Sequence, residues 1–268
     1  MTAETTVHPT AIVAPGAEIG HGVRIGAYCV IGDSVRLGDG VRLHSHVVIE
    51  GRTEIGQDTE IFPFASLGTV PQDLKYQGEP TALVVGRQNT IREHVTINIG
   101  TEGGGGLTRV GDGGLFMVGC HIGHDCQVGS GVIFANNATL AGHVDVEDHA
   151  VLGGLCAVHQ FTRIGAFAMI GGMSGVEKDV IPFGSAIGNR AVLGGLNLVG
   201  MKRHGFDREA IHSVRRAYDM LFYGDGVFAD RVDQVRDAFP DTDAVQQIIR
   251  FIRADSARSF CTPRETAS

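Results

Sequence analysis

An aliphatic or aromatic residue recurs at every sixth position from Val7 to Val176, with two interruptions. The first run is Val7, Val13, Ile19, Ile25, Ile31, Leu37, Leu43, Ile49, Ile55, Ile61 and Leu67. The phase returns at Val85, Ile91 and Ile97, slips by one, and continues from Val110 and Phe116 through Ile122, Val128 and Phe134 to Val176. A period of six fits neither a helix at 3.6 nor an alternating strand at 2.0; it is the repeat of a parallel β-helix, one short strand and one turn per hexapeptide. Four residues after each large apolar position stands a small or β-branched one, such as Ala11, Cys29, Val47, Cys120, Ala138 and Ser174. One large and one small inward residue per hexapeptide fill a narrow prism. Three hexapeptides close a lap, so residues 18 apart should stack at about 4.8 Å, the spacing of paired strands.

Composition agrees with this. The 39 glycines are periodic and mark corners, and Trp is absent, as a thin prism disfavours large rings. The length of 268 residues divides into a hexapeptide-repeat prism over 1–190 and a helical part over 191–268. A net charge of −8 argues against nucleic acid as the main partner. Cys29, Cys120, Cys126 and Cys156 fill the small inward slot, which reads as core packing rather than metal or redox chemistry, while Cys261 in the tail has no assignment. The start of the chain has no basic-then-apolar leader and no apolar run long enough to span a bilayer, which points to a cytoplasmic protein.

The first interruption, 69–84, reads TVPQDLKYQGEPTALV and carries Gln72, Asp73, Lys75 and Tyr76; because the phase survives it, it should leave and re-enter at one corner. Loops on rigid scaffolds carry function disproportionately. The second, GTEGGGGLTR over 100–109, reads as a solvated bulge. From about Val192 helical spacing takes over. Asp207 should cap a helix ended by Gly224, a second should run from Val227 to Phe239 before Pro240, and Thr242 should cap a third. Such helices can close the end of the solenoid.

Stacking arithmetic then gathers four of the twelve histidines. Gly123, Ala141 and His159 fall in one column, and His124 and Gly142 in the next, with His121 and His143 beside them. The four imidazoles should meet on one edge with Asp125 and Gln160. Histidine titrates near ~6.5, which suits a general base at neutral pH. A metal site is the competing use of the same residues, but no cysteine is available outside the core and the spacing is not a zinc signature.

Several segments together resemble one family: QDLKY and GEPT (72–76, 78–81), HIGHDC (121–126), ANNATLAGHV (135–144), GG followed by AVHQF (153–154, 157–161), IGGMSGV (170–176), and MKR followed by GFDREAI (201–203, 205–211). They resemble the UDP-N-acetylglucosamine O-acyltransferases of lipid A biosynthesis. The resemblance implies a left-handed β-helix, a homotrimer with sites between subunits, and two substrates: UDP-N-acetylglucosamine and an (R)-3-hydroxyacyl-acyl carrier protein. No cofactor or metal is implied. By the same resemblance His124 is the general base, Gly142 the oxyanion donor through its N–H, and Asp125 the support of His124. Gln72, Asp73, Lys75, His121, His143, His159, Gln160, Asn197 and Arg203 would bind substrate, and Gly172, Met173 and Arg190 would set acyl length. Val199 and His204 depart from the family pattern on the nucleoside side.

Three other readings are compatible with a hexapeptide repeat. A related N-acyltransferase normally has a domain ahead of its repeats, whereas here the hexads begin at Val7. A metal-dependent enzyme of the γ-carbonic anhydrase type shares the repeat. A purely structural β-helix would show uniform outward ladders, and the outward residues here are mixed.

Overall fold

The structure is a computed structural model describing residues 4–264. Val7 pairs with Ile25, Ile25 with Leu43, and Leu43 with Ile61, all parallel and in register, so the lap is the expected 18 residues. Each hexapeptide supplies a strand to one of three parallel sheets. The first face contains Arg24–Ile25 and Arg42–Leu43, the second Val30–Ile31 and Val48–Ile49, and the third Arg36–Leu37 and Arg52–Ile55. Their large inward residues are buried from Ile25 onward. Val7 is 48% exposed because no lap lies beneath it. Large rings do enter the prism: Phe116 and Phe134 are fully buried, with ring centroids 5.2 Å apart. The four hexad cysteines are buried free thiols, as is Cys261.

The turns between faces form three edges. The chain passes from the first to the second face at the first edge, which includes Tyr28, His46 and Phe64. It passes from the second to the third at the second edge (123–125, 141–143, 159–161), and from the third back to the first at the third edge (147–149, 165–167). Both interruptions leave the prism at the second edge. One separates Ser66–Thr69 from Ala82–Val85, the other Thr96–Asn98 from Leu107–Val110. Register resumes after each, with Ile61 on Ile91 and Ile91 on Phe116.

Beyond the repeats, residues 192–196 are not helical. Val192–Leu196 is a strand antiparallel to Gly184–Ile187, because the chain reverses through Gly188 and Arg190, both at positive φ. Among the described residues four α-helices follow: α1 (Leu198–Arg203), α2 (Arg208–Tyr223), α3 (Phe228–Ala238) and α4 (Asp243–Arg253). The short α1 has no sequence signal beyond Asn197, whose Oδ1 accepts from the Gly200 amide at 2.9 Å. Asp207 caps α2 as expected, accepting from Ala210 N at 2.7 Å. Thr242 stands at the start of α4 but its side chain makes no capping bond. After α4 the chain runs back along the last laps, where Leu193 N donates to Thr262 O and Cys261 N to Asp179 O. Among the described residues no helix is long and apolar enough to cross a membrane.

Candidate active site on the second edge

The second edge concentrates the polar chemistry. In three successive laps Asp125, His143 and Phe161 occupy the positive-φ corner, with φ of 60°, 59° and 62°. The column beside it holds His124, Gly142 and Gln160. The His143 ring stacks on Phe161 at 4.5 Å and meets the His124 ring edge-on at 4.9 Å.

Asp125 organises this corner. Its side chain is fully buried, an expensive position for a charge unless donors surround it. They do: Oδ1 accepts from Thr101 N at 2.8 Å, while Oδ2 accepts from Thr101 Oγ1 at 2.5 Å and from His124 Nδ1 at 2.8 Å. The Asp125 amide in turn donates to Thr108 Oγ1 at 2.8 Å. A carboxylate accepts only, so His124 donates through Nδ1, and in the neutral ring the lone pair is on Nε2. His124 keeps 17% of its side chain exposed, enough to meet a substrate.

Gly142 lies against the His124 ring. A Cβ built on it would come within 2.5 Å of Cε1 and 2.6 Å of Nε2, so any side chain would displace the imidazole. Among the described residues the Gly142 amide has no hydrogen-bond acceptor, and its position beside a base suits a developing oxyanion. The second interruption is not a solvated bulge: Thr101 is buried, and a Cβ on Gly104 would fall 2.0 Å from the Asp125 carboxyl carbon. The glycine tract is what lets the backbone close over Asp125.

A cleft of about 260 Å³ opens beside this corner, lined by His143, Phe161, Thr101 and Glu102 with Asp73, Lys75, Tyr76 and Glu79 of the first interruption. That loop holds itself through Lys75 N to Asp73 Oδ1 at 3.0 Å and Tyr76 Oη to Glu79 O at 3.0 Å. Burial pushes the His143 pKa down, against the pull of Asp125 and Asp73, which keeps this ring neutral near pH 7. Burial likewise lowers that of His121, whose Nδ1 pairs with Thr96 Oγ1 at 2.8 Å. Gln72 is exposed on the same loop.

Other sequence-predicted residues do not join this cluster within one chain. Gly172 and Met173 lie exposed on the first edge, and Arg190 in the hairpin turn after Gly184–Ile187. Asn197 caps α1 and donates from Nδ2 to Phe167 O on the third edge at 2.9 Å; Arg203 is exposed in the last turn of α1. His159 is in the expected column, but its Nδ1 is bound to Arg258 Nη2 at 2.7 Å.

Comparison with known proteins decides the family. Residues 179–261 match the profile described as the second domain of UDP-N-acetylglucosamine O-acyltransferase, and residues 16–51 match the bacterial transferase hexapeptide repeat. The acyl-[acyl-carrier-protein]–UDP-N-acetylglucosamine O-acyltransferase of Rhizobium etli is 51% identical over 96% of this chain and 94% of its own. The enzyme of that name from Paracoccus denitrificans is 55% identical, covering 76% of this chain and 77% of its own. The solved LpxA of Acinetobacter baumannii superposes with a TM-score of 0.92 at 44% identity, over 95% of this chain and 99% of that one. The chain belongs to the UDP-N-acetylglucosamine O-acyltransferase family. It is an acyltransferase, and it shares the family's left-handed parallel β-helix with C-terminal helices.

The two departures from the family pattern have defined places. Val199 is 59% exposed on α1. His204 ends α1 with its ring 4.7 Å from His149 and 5.1 Å from Phe167, and burial followed by the His149 charge lowers its pKa. Sequence reasoning missed Thr101, Thr108 and Arg258. Thr101 was within reach, since pairing Ile97 with Ile122 puts the start of the glycine tract directly against Asp125.

Proposed function

We propose that this acyltransferase moves an (R)-3-hydroxyacyl chain from acyl carrier protein to the glucosamine 3-hydroxyl of UDP-N-acetylglucosamine, the first step of lipid A biosynthesis. The observation that carries the mechanism is the His124–Asp125 pair at 2.8 Å beside the Gly142 amide. His124 Nε2 takes the hydroxyl proton as the sugar oxygen attacks the thioester carbon. The Gly142 N–H stabilises the oxyanion, and collapse of the tetrahedral species returns the proton to the departing thiolate. Asp125 stabilises the imidazolium formed in between.

Transfer is direct in this scheme. Favouring it, burial pushes the Cys120, Cys126 and Cys156 thiols up to about 11, 12 and 11, so none is a ready nucleophile. Five buried free thiols also suit the reducing cytoplasm. Asp73, Lys75, Gln72, His121, His143, His159 and Gln160 are assigned to the nucleotide-sugar. Gly172, Met173, Arg190, Asn197 and Arg203 lie away from the second edge, and we assign them to the site of a neighbouring copy in a homotrimer. Replacing Gly172 by Met should then favour shorter acyl chains.

The test combines purified protein, UDP-N-acetylglucosamine and a panel of 3-hydroxyacyl carrier proteins, with products weighed by mass spectrometry. A 3-O-acylated sugar is expected, and no acyl adduct on protein incubated with the carrier alone; an adduct rejects direct transfer. The family assignment leaves no place for the competing γ-carbonic anhydrase reading; what remains is that ligand atoms of His124, Asp125 and His143 lie within 4.8 Å of one another, close enough to share a metal. A metal there must compete with the Thr101 donors for Asp125. Chelation that abolishes transfer, restored by zinc, would give the acyltransferase site a metal and overturn the metal-free mechanism.

A further inference from the structure

The second edge holds a second oriented imidazole, and its orienting partner comes from the far end of the chain. After α4 the segment 254–264 is tied to the prism on both sides of Arg258. Ser256 Oγ donates to the buried Asp179 Oδ2 at 2.6 Å, and Asp179 N donates to Ser259 O at 2.9 Å. Asp179 is itself fixed by Arg163, through Nε and the backbone N–H, each at 2.8 Å. This anchoring brings the Arg258 guanidinium to Gln160 O at 2.9 Å and to His159 Nδ1 at 2.7 Å.

A guanidinium has five donors and no acceptor. His159 Nδ1 also lies 3.2 Å from Gln160 O, a contact in which it would have to donate, but a proton there would face an N–H donor only 2.7 Å away, so the shorter Arg258 bond makes Nδ1 the accepting nitrogen and leaves the ring proton on Nε2. His124 is the opposite case, because its Nδ1 faces a carboxylate and must carry the proton. Two histidines on one edge are thus set to opposite tautomers by partners of opposite charge. One presents a lone pair at Nε2, as a base needs; the other presents an Nε2–H, as an anion-binding donor needs.

We propose that Arg258 is a positioning residue of the transferase site, holding His159 as an Nε2–H donor to the phosphate oxygens of the nucleotide-sugar. This rests on the assignment of His159 to the nucleotide-sugar made above. Arg258 does not touch the reacting atoms, so its loss should act on binding of that one substrate.

The experiment uses the full chain labelled with 15N-histidine, with His159→Ala identifying the His159 signals. Wild-type protein should show an unprotonated Nδ1 and a protonated Nε2 at residue 159. Arg258→Met should shift this ring toward a mixture of tautomers and raise KM for UDP-N-acetylglucosamine about 10-fold, the scale of a lost hydrogen bond to a charged group. Its kcat and its KM for the acyl carrier protein should stay within about twofold, as expected when only substrate binding is lost. Arg258→Lys keeps a donor and should recover part of the KM effect. Combining Arg258→Met with His159→Ala should raise KM no further than His159→Ala alone. A wild-type His159 protonated at Nδ1, an unchanged KM in Arg258→Met, or additive effects in the double variant overturns the proposal. Unfolding midpoints of the variants distinguish loss of the strap from loss of orientation. Wild-type turnover checks the functional reading, whereas tautomer and variant KM check Arg258, so the two fail separately.

Discussion

The first and second edges of the prism use the same corner geometry and both stack imidazoles, yet only the second buries a carboxylate against one, and only the second carries the proposed site. On the first edge Tyr28, His46, Phe64 and His94 take positive φ in consecutive laps, with ring centroids 5.0, 5.1 and 5.2 Å apart. This ladder is exposed, and its stacking contributes packing alone. The nearby His44–Glu60 pair is nearly as short as His124–Asp125, at 2.9 against 2.8 Å, but its side chains are 43% and 36% exposed. On the second edge the carboxylate has no exposure at all. What distinguishes them is the glycine tract, which carries Thr101 over the corner and removes Asp125 from water. On the proposed mechanism, a histidine at a turn becomes a base when a buried, donor-saturated carboxylate fixes its orientation, and an exposed pair in water does this weakly.

That contrast can be broken by substitution. His124→Ala should lower kcat by about 10²–10⁴-fold with the fold retained, as removal of a general base does; near-normal turnover in a steady-state assay rejects its role. Gly142→Ala comes next, with an expected loss of about 10²-fold in kcat from displacement of the imidazole by its new Cβ. Thr101→Val removes one of the three donors to Asp125 and should cost about 10-fold in kcat; an equal loss in Glu102→Ala would show that the tract acts only as a cover. His46→Ala on the first edge should leave kcat within about twofold and lower Tm by about 2 °C, the scale of a lost ring contact in a chain of this size.

The smallest effect tests a carboxylate without a donor cage. Asp145 on the third face is exposed, yet the protein packed around it raises its pKa, with Arg163 opposing, and among the described residues its carboxylate accepts no hydrogen bond. Its charged form is penalised on folding, so the folded state binds the proton more tightly and the penalty applies as pH rises through the raised folded value. Because solvent screens an exposed carboxylate, Asp145→Asn should raise Tm at pH 7 by no more than about 1 °C, with the gain disappearing toward about pH 4, near the unfolded value. Thermal scans at the two pH values check the sign.

Much of the site was legible before any coordinates. A six-residue period with three faces forces residues 18 apart onto one edge, so His124, Gly142, His143 and His159 fall together by counting, as the paired registers bear out. The start of α2 at Asp207 was legible for a local reason, since an N-cap acts within its own turn. The strand Val192–Leu196 was not, because its antiparallel pairing depends on a reversal through Gly188 and Arg190 and not on its own spacing.

Sequence alone determined the winding, the inward and outward faces, and the edge on which the imidazoles gather, because a strict repeat turns chain distance into spatial position. Tertiary structure decided which way those imidazoles point. The hydroxyl and amide on Asp125 come from an insertion that breaks the count, and the guanidinium on His159 from a segment outside the repeat. Hydrogen bonds made across such breaks depend on the path of the backbone, and no period encodes that path.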